Sequence, residues 1–144
     1  MINNTKITNH FISITQYFPA ILSGFLLTLS FPKADLPWLA WVALVPLLLS
    51  LSLYKLDGKK AFKAGFIMGL CHFLSLIYWI VPTISIYGQL SLFLALPILL
   101  LLAAYLALYP ALFSFGIRYL HNGFMPLTAA LLWVALEYIR STLL

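Results

Sequence analysis

The chain has 144 residues, of which 64% are hydrophobic, eight are basic and three acidic, with a formal net charge of +5 and a mean hydropathy of +1.06. A water-soluble domain of this size carries roughly one quarter charged residues, so the composition instead predicts an all-α, polytopic bundle of about five transmembrane helices. The basic residues cluster in one short segment without a nucleic-acid-binding motif, so the charge indicates orientation in a membrane and no nucleic acid is expected as a partner.

The first predicted span covers residues 11–31 and follows a polar N-terminal tail at residues 1–10. Pro19 divides this apolar segment, and proline is well tolerated in the first turn of a helix. Two interpretations stay open. Either residues 11–18 complete a helix that crosses the bilayer, or the helix begins near Pro19 and enters the membrane only to a shallow depth.

The second predicted span covers residues 37–53. Trp38 and Trp41 lie at its head, and indole rings favour the headgroup region of a bilayer. Pro46 lies inside the span, where a proline kinks a helix. The stretch that follows, residues 54–63, holds four lysines and one aspartate, and this composition predicts a loop between two helices.

The third predicted span covers residues 64–81 and ends at Pro82. Gly65 and Gly69 recur at a spacing of four residues, on one face with Ala61. Small residues at this spacing let another helix approach closely. We therefore expect this face to pack against a neighbouring helix rather than to carry chemistry.

A short polar loop is predicted at residues 82–89, and it contains Tyr87. The fourth predicted span covers residues 90–117, which at about 1.5 Å per residue is longer than a bilayer requires, so we expect it to tilt or kink. A loop at residues 118–122 leads to the fifth predicted span, residues 126–144. The chain is therefore expected to end within its last span.

The basic loops at residues 55–63 and 118–122 are predicted on one side of the membrane, because two spans separate them. Cytoplasmic loops of membrane proteins carry an excess of lysine and arginine. We therefore expect both basic loops in the cytoplasm and the loops at residues 32–36 and 82–89 on the outer side.

Glu137 and Arg140 are charged residues inside a predicted span, and their i, i+3 spacing places them on one helix face, where they can pair. A charge in hydrocarbon costs about 2.5–3.5 kcal/mol on insertion scales, and pairing lowers that cost. Two interpretations stay open: a site that faces a polar cavity or a lipid headgroup, or a structural pair near the outer interface with Arg140 extended toward phosphates.

His72 lies beside the single cysteine, Cys71, in the third predicted span. A metal site needs three or four donors, and neither a carboxylate nor a second histidine has a suitable spacing. We interpret His72 as a helix-packing residue and Cys71 as a small buried one. The sequence predicts no catalytic residue, no cofactor-binding residue and no metal ligand.

Five stretches of the chain resemble the apolipoprotein N-acyltransferase family and occur in the family's order. They are residues 23–32, 35–41, 65–79, 103–113 and 132–140. Together they cover nearly the whole chain, but they correspond only to the first part of the family's membrane bundle. The nitrilase-like domain, which carries the Glu-Lys-Cys catalytic set of the family, has no counterpart in them.

The resemblance implies a multi-pass protein of the bacterial inner membrane. Members of the family move an acyl chain from a phospholipid to the free amine of a diacylglyceryl-cysteine lipoprotein through a thioester. Cys71, Lys33 and Glu137 match no catalytic position of the family. The resemblance implies only a role for the bundle, which is to anchor the enzyme and hold lipid near the catalytic domain. The polar positions to test for that role are Glu137, Arg140 and Tyr87.

The leading hypothesis is an N-terminal fragment of such an acyltransferase, inactive alone and without a cofactor. Its expected partners are membrane phospholipids, a separate nitrilase-like catalytic half and, only in a complete enzyme, a lipoprotein substrate. The alternative is a freestanding, non-enzymatic membrane scaffold or assembly partner. A small transporter is disfavoured, because it requires polar residues along several spans and the sequence offers one charged pair.

Overall fold

The computed structural model describes three ranges of the chain: residues 15–32, 35–120 and 125–143. Within these ranges the chain forms helices and turns without a β-strand, and the predicted all-α fold is confirmed. Several predictions fall outside the described residues. They concern the tail at residues 1–10, residues 11–14 of the first span, Lys33, residues 121–122 of the second basic loop, and the last residue of the fifth span.

In chain order the helices of the described part are α1 (Phe18–Leu29), a 3-10 helix (Pro37–Leu39), α2 (Ala40–Ala43), α3 (Val45–Leu53), α4 (Gly58–Ile77), α5 (Ile80–Tyr87), α6 (Leu92–Leu120) and α7 (Met125–Leu143). Among them α4 and α6 are long and apolar enough to cross a membrane, since about 20 apolar residues span the hydrocarbon layer. Helix α1 has 12 residues, and α7 has 19. The number of five spans stays a prediction.

Proline residues determine where two of the helices begin. Helix α1 starts at Phe18 with Pro19 in its first turn, where the missing N–H has no intrahelical partner in any case. The predicted second span is divided at Leu44, because Pro46 cannot donate to the carbonyl of Val42 and instead occupies the first turn of α3.

The loop predicted at residues 54–63 is wrong for its second half. Asp57 caps helix α4, and its carboxylate accepts a hydrogen bond from the backbone N–H of Lys60 at 3.3 Å. This N-cap satisfies one of the free donors of the first turn, so the helix begins at Gly58. Lys60 and Lys63 consequently lie on α4 rather than in a loop.

The loop predicted at residues 82–89 is also wrong over most of its length. Helix α4 ends at Ile77, and after a short turn residues Ile80–Tyr87 form α5. Pro82 lies in the first turn of α5, a position at which proline does not interrupt helical hydrogen bonding. Arg118, predicted in the next loop, is still helical, because α6 continues to Leu120.

Helices α4 and α6 pack against each other along a face of small residues, here called the glycine seam and defined by Gly65, Gly69, Ala107 and Pro110. A Cβ atom on Gly69 would lie 2.8 Å from the Cα of Ala107, and one on Gly65 would overlap the carbonyl oxygen of Pro110. The backbones therefore touch directly, which is how membrane helices gain van der Waals contact without a hydrophobic driving force.

The outer faces of the helices expose large apolar side chains rather than charges. Phe93 and Leu101 on α6 and Leu131 and Val134 on α7 are among them. Contiguous apolar surfaces of this kind are unfavourable in water and mark contact with lipid or with other protein. Together with the length of α4 and α6, they indicate a protein of the membrane.

Candidate functional site

A cavity of about 310 Å³ lies between α1, α2, α4, α6 and α7. Its polar lining residues are Ser30, His72, Glu137 and Arg140. Its wall is otherwise apolar and is formed by Leu27, Phe31, Ala40, Phe73, Leu76, Pro110 and Trp133. The bundle thus places four hydrogen-bonding side chains from three helical segments around one partly open cavity.

His72 projects from α4 and is held by α1. The side chain is 4% exposed, and its Nδ1 lies 3.0 Å from Oγ1 of Thr28. The Thr28 hydroxyl also lies 2.9 Å from the carbonyl oxygen of Gly24, one turn earlier. Since a buried ring nitrogen without a partner is costly, this contact explains how an imidazole is accommodated in an apolar bundle.

Gly24 makes the contact between α1 and α4 close enough for this hydrogen bond. A Cβ atom at Gly24 would lie 2.5 Å from the carbonyl oxygen of Met68 and 2.9 Å from the Cβ of Cys71. The small side chain of Cys71 is therefore part of a helix contact. Cys71 is half-buried rather than buried as predicted, and it is not among the residues that line the cavity.

Arg140 and Glu137 form an ion pair on the cavity wall, with 2.5 Å between Nη2 of Arg140 and Oε2 of Glu137. The two side chains are 31% and 39% exposed, respectively. The guanidinium carbon of Arg140 lies 5.9 Å from the ring centroid of Phe73, at cation–π distance. Nε of Arg140 is buried and has no hydrogen-bond acceptor among the described residues.

Tyr87, the third polar position singled out from the sequence, lies away from this cavity. It is the last residue of α5 and is 84% exposed. The structure therefore brings Glu137 and Arg140 together at one site and leaves Tyr87 on the surface. Within the part of the chain that the structure describes, no three His, Cys, Asp or Glu residues cluster as a metal site would require.

Sequence reasoning missed Thr28, Ser30 and Trp133 as partners of the polar site. Trp133 packs edge-on against Phe113, with ring centroids 5.2 Å apart, and this contact holds α7 against α6. For these partners, the one available sequence signal is a hydroxyl in an apolar run, as at Thr28. It is weak, because serine and threonine also bond to their own helix backbone.

The cavity and the basic residues lie at different levels of the bundle. Asp57, Gly58, Arg118 and Tyr119 line a second, open cavity of about 300 Å³, so the start of α4 and the end of α6 are adjacent. His72 follows Gly58 by fourteen residues on the same helix, which corresponds to about 21 Å along the axis.

The fold and the cavity define a helical membrane domain with a polar, partly open site among its helices. The family model described as apolipoprotein N-acyltransferase N-terminal domain matches residues 23–144. The chain belongs to this family, as its resemblance predicted, and it is accordingly a membrane protein.

Three curated relatives are named apolipoprotein N-acyltransferase. The protein of Geobacter metallireducens is 41% identical over 130 residues, covering 89% of this chain and 25% of the relative. The protein of Pasteurella multocida is 32% identical over 90% of this chain and 24% of its own length, and that of Wigglesworthia glossinidia brevipalpis is 31% identical over 90% and 26%. The chain thus spans about a quarter of these relatives. No solved structure matches it significantly.

Proposed function

We propose that the chain is the membrane-embedded N-terminal part of an apolipoprotein N-acyltransferase of the bacterial inner membrane. Its role in that enzyme is to anchor the protein and to present phospholipid to a nitrilase-like catalytic domain. The observation that carries the proposal is the family match over residues 23–144. Two further observations support it: two helices are long and apolar enough to cross a membrane, and a polar cavity lies beside them.

We further propose that this chain transfers no acyl group by itself. Thioester chemistry needs a thiolate that the substrate can reach. The chain has one cysteine, and Cys71 is packed at the contact between α1 and α4, against Gly24. Acyl transfer to a lipoprotein is accordingly assigned to a catalytic half outside the 144 residues.

Complementation of a bacterial strain depleted of its own apolipoprotein N-acyltransferase tests the proposal. We expect no growth from the chain alone. We expect growth when the chain replaces the matching quarter of the Geobacter metallireducens relative in a fusion protein, with the intact relative as the control. Growth from the chain alone contradicts the proposal. The proposal is also contradicted if the fusion protein accumulates in the membrane but does not support growth, while the intact relative does.

The proposed orientation places the basic end of the bundle in the cytoplasm and the polar cavity toward the outer side. Lys60 and Arg118 lie at the basic end, and lysine and arginine are retained on the cytoplasmic side of membranes. In a Cys71→Ala background, we expect an impermeant maleimide to label Tyr87→Cys in intact spheroplasts and Lys60→Cys only after permeabilisation. The reverse labelling contradicts this orientation.

A further inference from the structure

We propose that the second cavity, defined by Asp57, Gly58, Arg118 and Tyr119, binds the headgroup of an anionic phospholipid, and that the guanidinium of Arg118 pairs with its phosphate. The inference goes beyond the proposed function, because this lipid stays at the basic end of the bundle and takes no part in acyl transfer. Three observations support it: an excess of unpaired cations, a cavity between two helix ends, and an apolar stripe that leads away from that cavity.

The basic end of the bundle carries more positive charge than its own carboxylates neutralise. Four of its cations are exposed and have no ion-pair partner among the described residues: Lys55, Lys59, Lys60 and Arg118. Asp57, the one acidic residue of residues 54–63, caps α4 at the backbone N–H of Lys60. Clustered cations beside a membrane attract anionic lipids. They repel the ammonium group of a zwitterionic headgroup, so the charge favours a lipid with a net negative headgroup.

The second cavity holds one of these cations at a defined place. It has a volume of about 300 Å³, and it lies where the first residue of α4, Gly58, meets Arg118 and Tyr119 in the last turn of α6. A Cβ atom on Gly58 would lie 2.6 Å from the hydroxyl oxygen of Tyr119, so the glycine lets the phenol reach the start of α4. Basic pockets between membrane helices bind lipid headgroups, and a guanidinium matches two phosphate oxygens at once.

An apolar stripe leads from the second cavity along the outer face of α6. Leu108, Leu112, Phe115 and Tyr119 form it, at spacings of three and four residues that share one helix face, and all four are exposed. The rings of Phe115 and Tyr119 lie 4.8 Å apart between centroids, so the stripe begins at the cavity.

The length of this apolar stripe fits one acyl chain. From Leu108 to Tyr119 the helix advances eleven residues, or about 16 Å. The hydrocarbon layer is about 30 Å thick, so the stripe is about as long as one leaflet is deep. A lipid whose headgroup occupies the second cavity would cover the stripe with its acyl chain, whereas a free phosphate ion would leave it uncovered. The stripe therefore favours a lipid as the source of the phosphate.

Lipid binding by the purified 144-residue chain in detergent tests the inference. Native mass spectrometry would follow titration with phosphatidylglycerol, with phosphatidylethanolamine of the same acyl chains and with inorganic phosphate. We expect phosphatidylglycerol to bind at least about fivefold more tightly than phosphatidylethanolamine, the factor that corresponds to one charge at a membrane surface. Arg118→Gln should weaken phosphatidylglycerol by about tenfold, the loss expected for a charged hydrogen bond, and should remove most of the preference.

Asp57→Asn should change the affinity in the opposite direction. It keeps an oxygen that can cap α4, but it removes the carboxylate that lines the second cavity. We expect it to bind phosphatidylglycerol about fivefold more tightly than the unchanged chain does. A variant that folds poorly does not gain affinity, so this arm separates the loss of a binding group from the loss of the fold.

Lys63→Gln is the matched control for charge. The Lys63 amino group lies 5.2 Å from the ring centroid of Tyr17, so it is on the side of α4 that faces the start of α1 rather than α6. At about 0.15 M salt, charges more than about 8 Å apart are largely screened, and a helix with its side chains is about 10 Å across. We expect Lys63→Gln to weaken phosphatidylglycerol by less than about twofold.

The outcomes that overturn the inference are separate for the lipid and for the site. Equal binding of phosphatidylglycerol and phosphatidylethanolamine by the unchanged chain overturns an anionic lipid as the ligand. Inorganic phosphate that binds as tightly as phosphatidylglycerol overturns a lipid as the ligand. Equal losses of affinity in Arg118→Gln and Lys63→Gln, or unchanged or weaker binding in Asp57→Asn, overturn the second cavity as the site.

Discussion

The glycine seam and the polar cavity are adjacent regions of one bundle that differ in how closely their helices approach. At the seam, Gly65 and Gly69 let α4 touch the backbone of α6 at Ala107 and Pro110. At the cavity, aromatic and charged side chains hold α7 away from α4 and leave about 310 Å³ between them. The comparison shows that small residues bring helix backbones into close contact, whereas aromatic and charged residues line the space where the helices stay apart.

The largest loss of stability is expected when a methyl group is added at the glycine seam. In Gly65→Ala the new methyl group meets the backbone of Pro110, which cannot rotate away, and we expect a loss of about 2–3 kcal/mol in the free energy of unfolding in mixed micelles. Gly116→Ala is the control, because its methyl group meets only the flexible end of Leu132. Its expected loss is below about 1 kcal/mol. Equal losses of stability in the two variants would show that the contact between Gly65 and the backbone of Pro110 is not tight.

A smaller loss of stability is expected when the hydrogen bond between Thr28 and His72 is removed. Thr28→Val keeps the shape of the side chain but removes the hydroxyl that contacts Nδ1 of His72. We expect destabilisation by about 1–2 kcal/mol, measured by the same unfolding assay, because a buried ring nitrogen loses its partner. Thr83→Val is the matched control, since its exposed hydroxyl bonds only to its own helix. A loss no greater than in the control would contradict the role of Thr28.

The ion pair on the cavity wall should contribute less to the free energy of unfolding than the short distance between its atoms suggests. Glu137 and Arg140 are 39% and 31% exposed, so water and headgroups screen their attraction. A double-mutant cycle with Glu137→Gln and Arg140→Gln should give a coupling free energy of about 0.5–1 kcal/mol. A coupling above about 3 kcal/mol would indicate a desolvated pair. That result would contradict the partial exposure of the two side chains on the cavity wall.

The smallest effect is expected at the basic end, away from both regions. Asp57→Ala removes the cap of α4, and we expect a loss of about 0.5–1 kcal/mol. Hydrogen exchange should become faster at the backbone amide of Lys60 and stay unchanged at His72. Asp57→Asn, which keeps a capping oxygen, should retain most of the protection. Faster exchange along the whole of α4 would show that the helix depends on its cap rather than on packing at the seam.

Errors in the sequence-based boundaries have identifiable physical causes. The dense charges at residues 54–63 indicated a loop, but Asp57 is an N-cap and starts α4 at Gly58. Polar residues and Pro82 indicated a second loop, but a proline in the first turn of α5 leaves its helical hydrogen bonds intact. Composition identifies apolar spans well, whereas the residues of the first turn, such as the Asp57 cap of α4 and the first-turn prolines of α1 and α3, decide where these helices begin.

Some contacts at the polar site follow from local sequence spacing, whereas others depend on how the helices pack. The pairing of Glu137 and Arg140 follows from i, i+3 spacing on one helix, and such local geometry can be calculated from residue numbers. The contact between Thr28 and His72 joins residues 44 positions apart, so it depends on how α1 packs on α4. No local pattern indicated that His72 would line the same cavity as Arg140.

The amino-acid sequence by itself determined that this protein is helical, that it belongs in a membrane and which family it resembles. Those properties are sums over neighbouring residues, and hydropathy, spacing and shared stretches of sequence report them directly. Only the tertiary structure decided that His72 from α4, Ser30 from the end of α1 and Arg140 from α7 surround one cavity. The reason is that packing at Gly24 and along the glycine seam sets the distances between helices, and those distances do not exist in the unfolded chain.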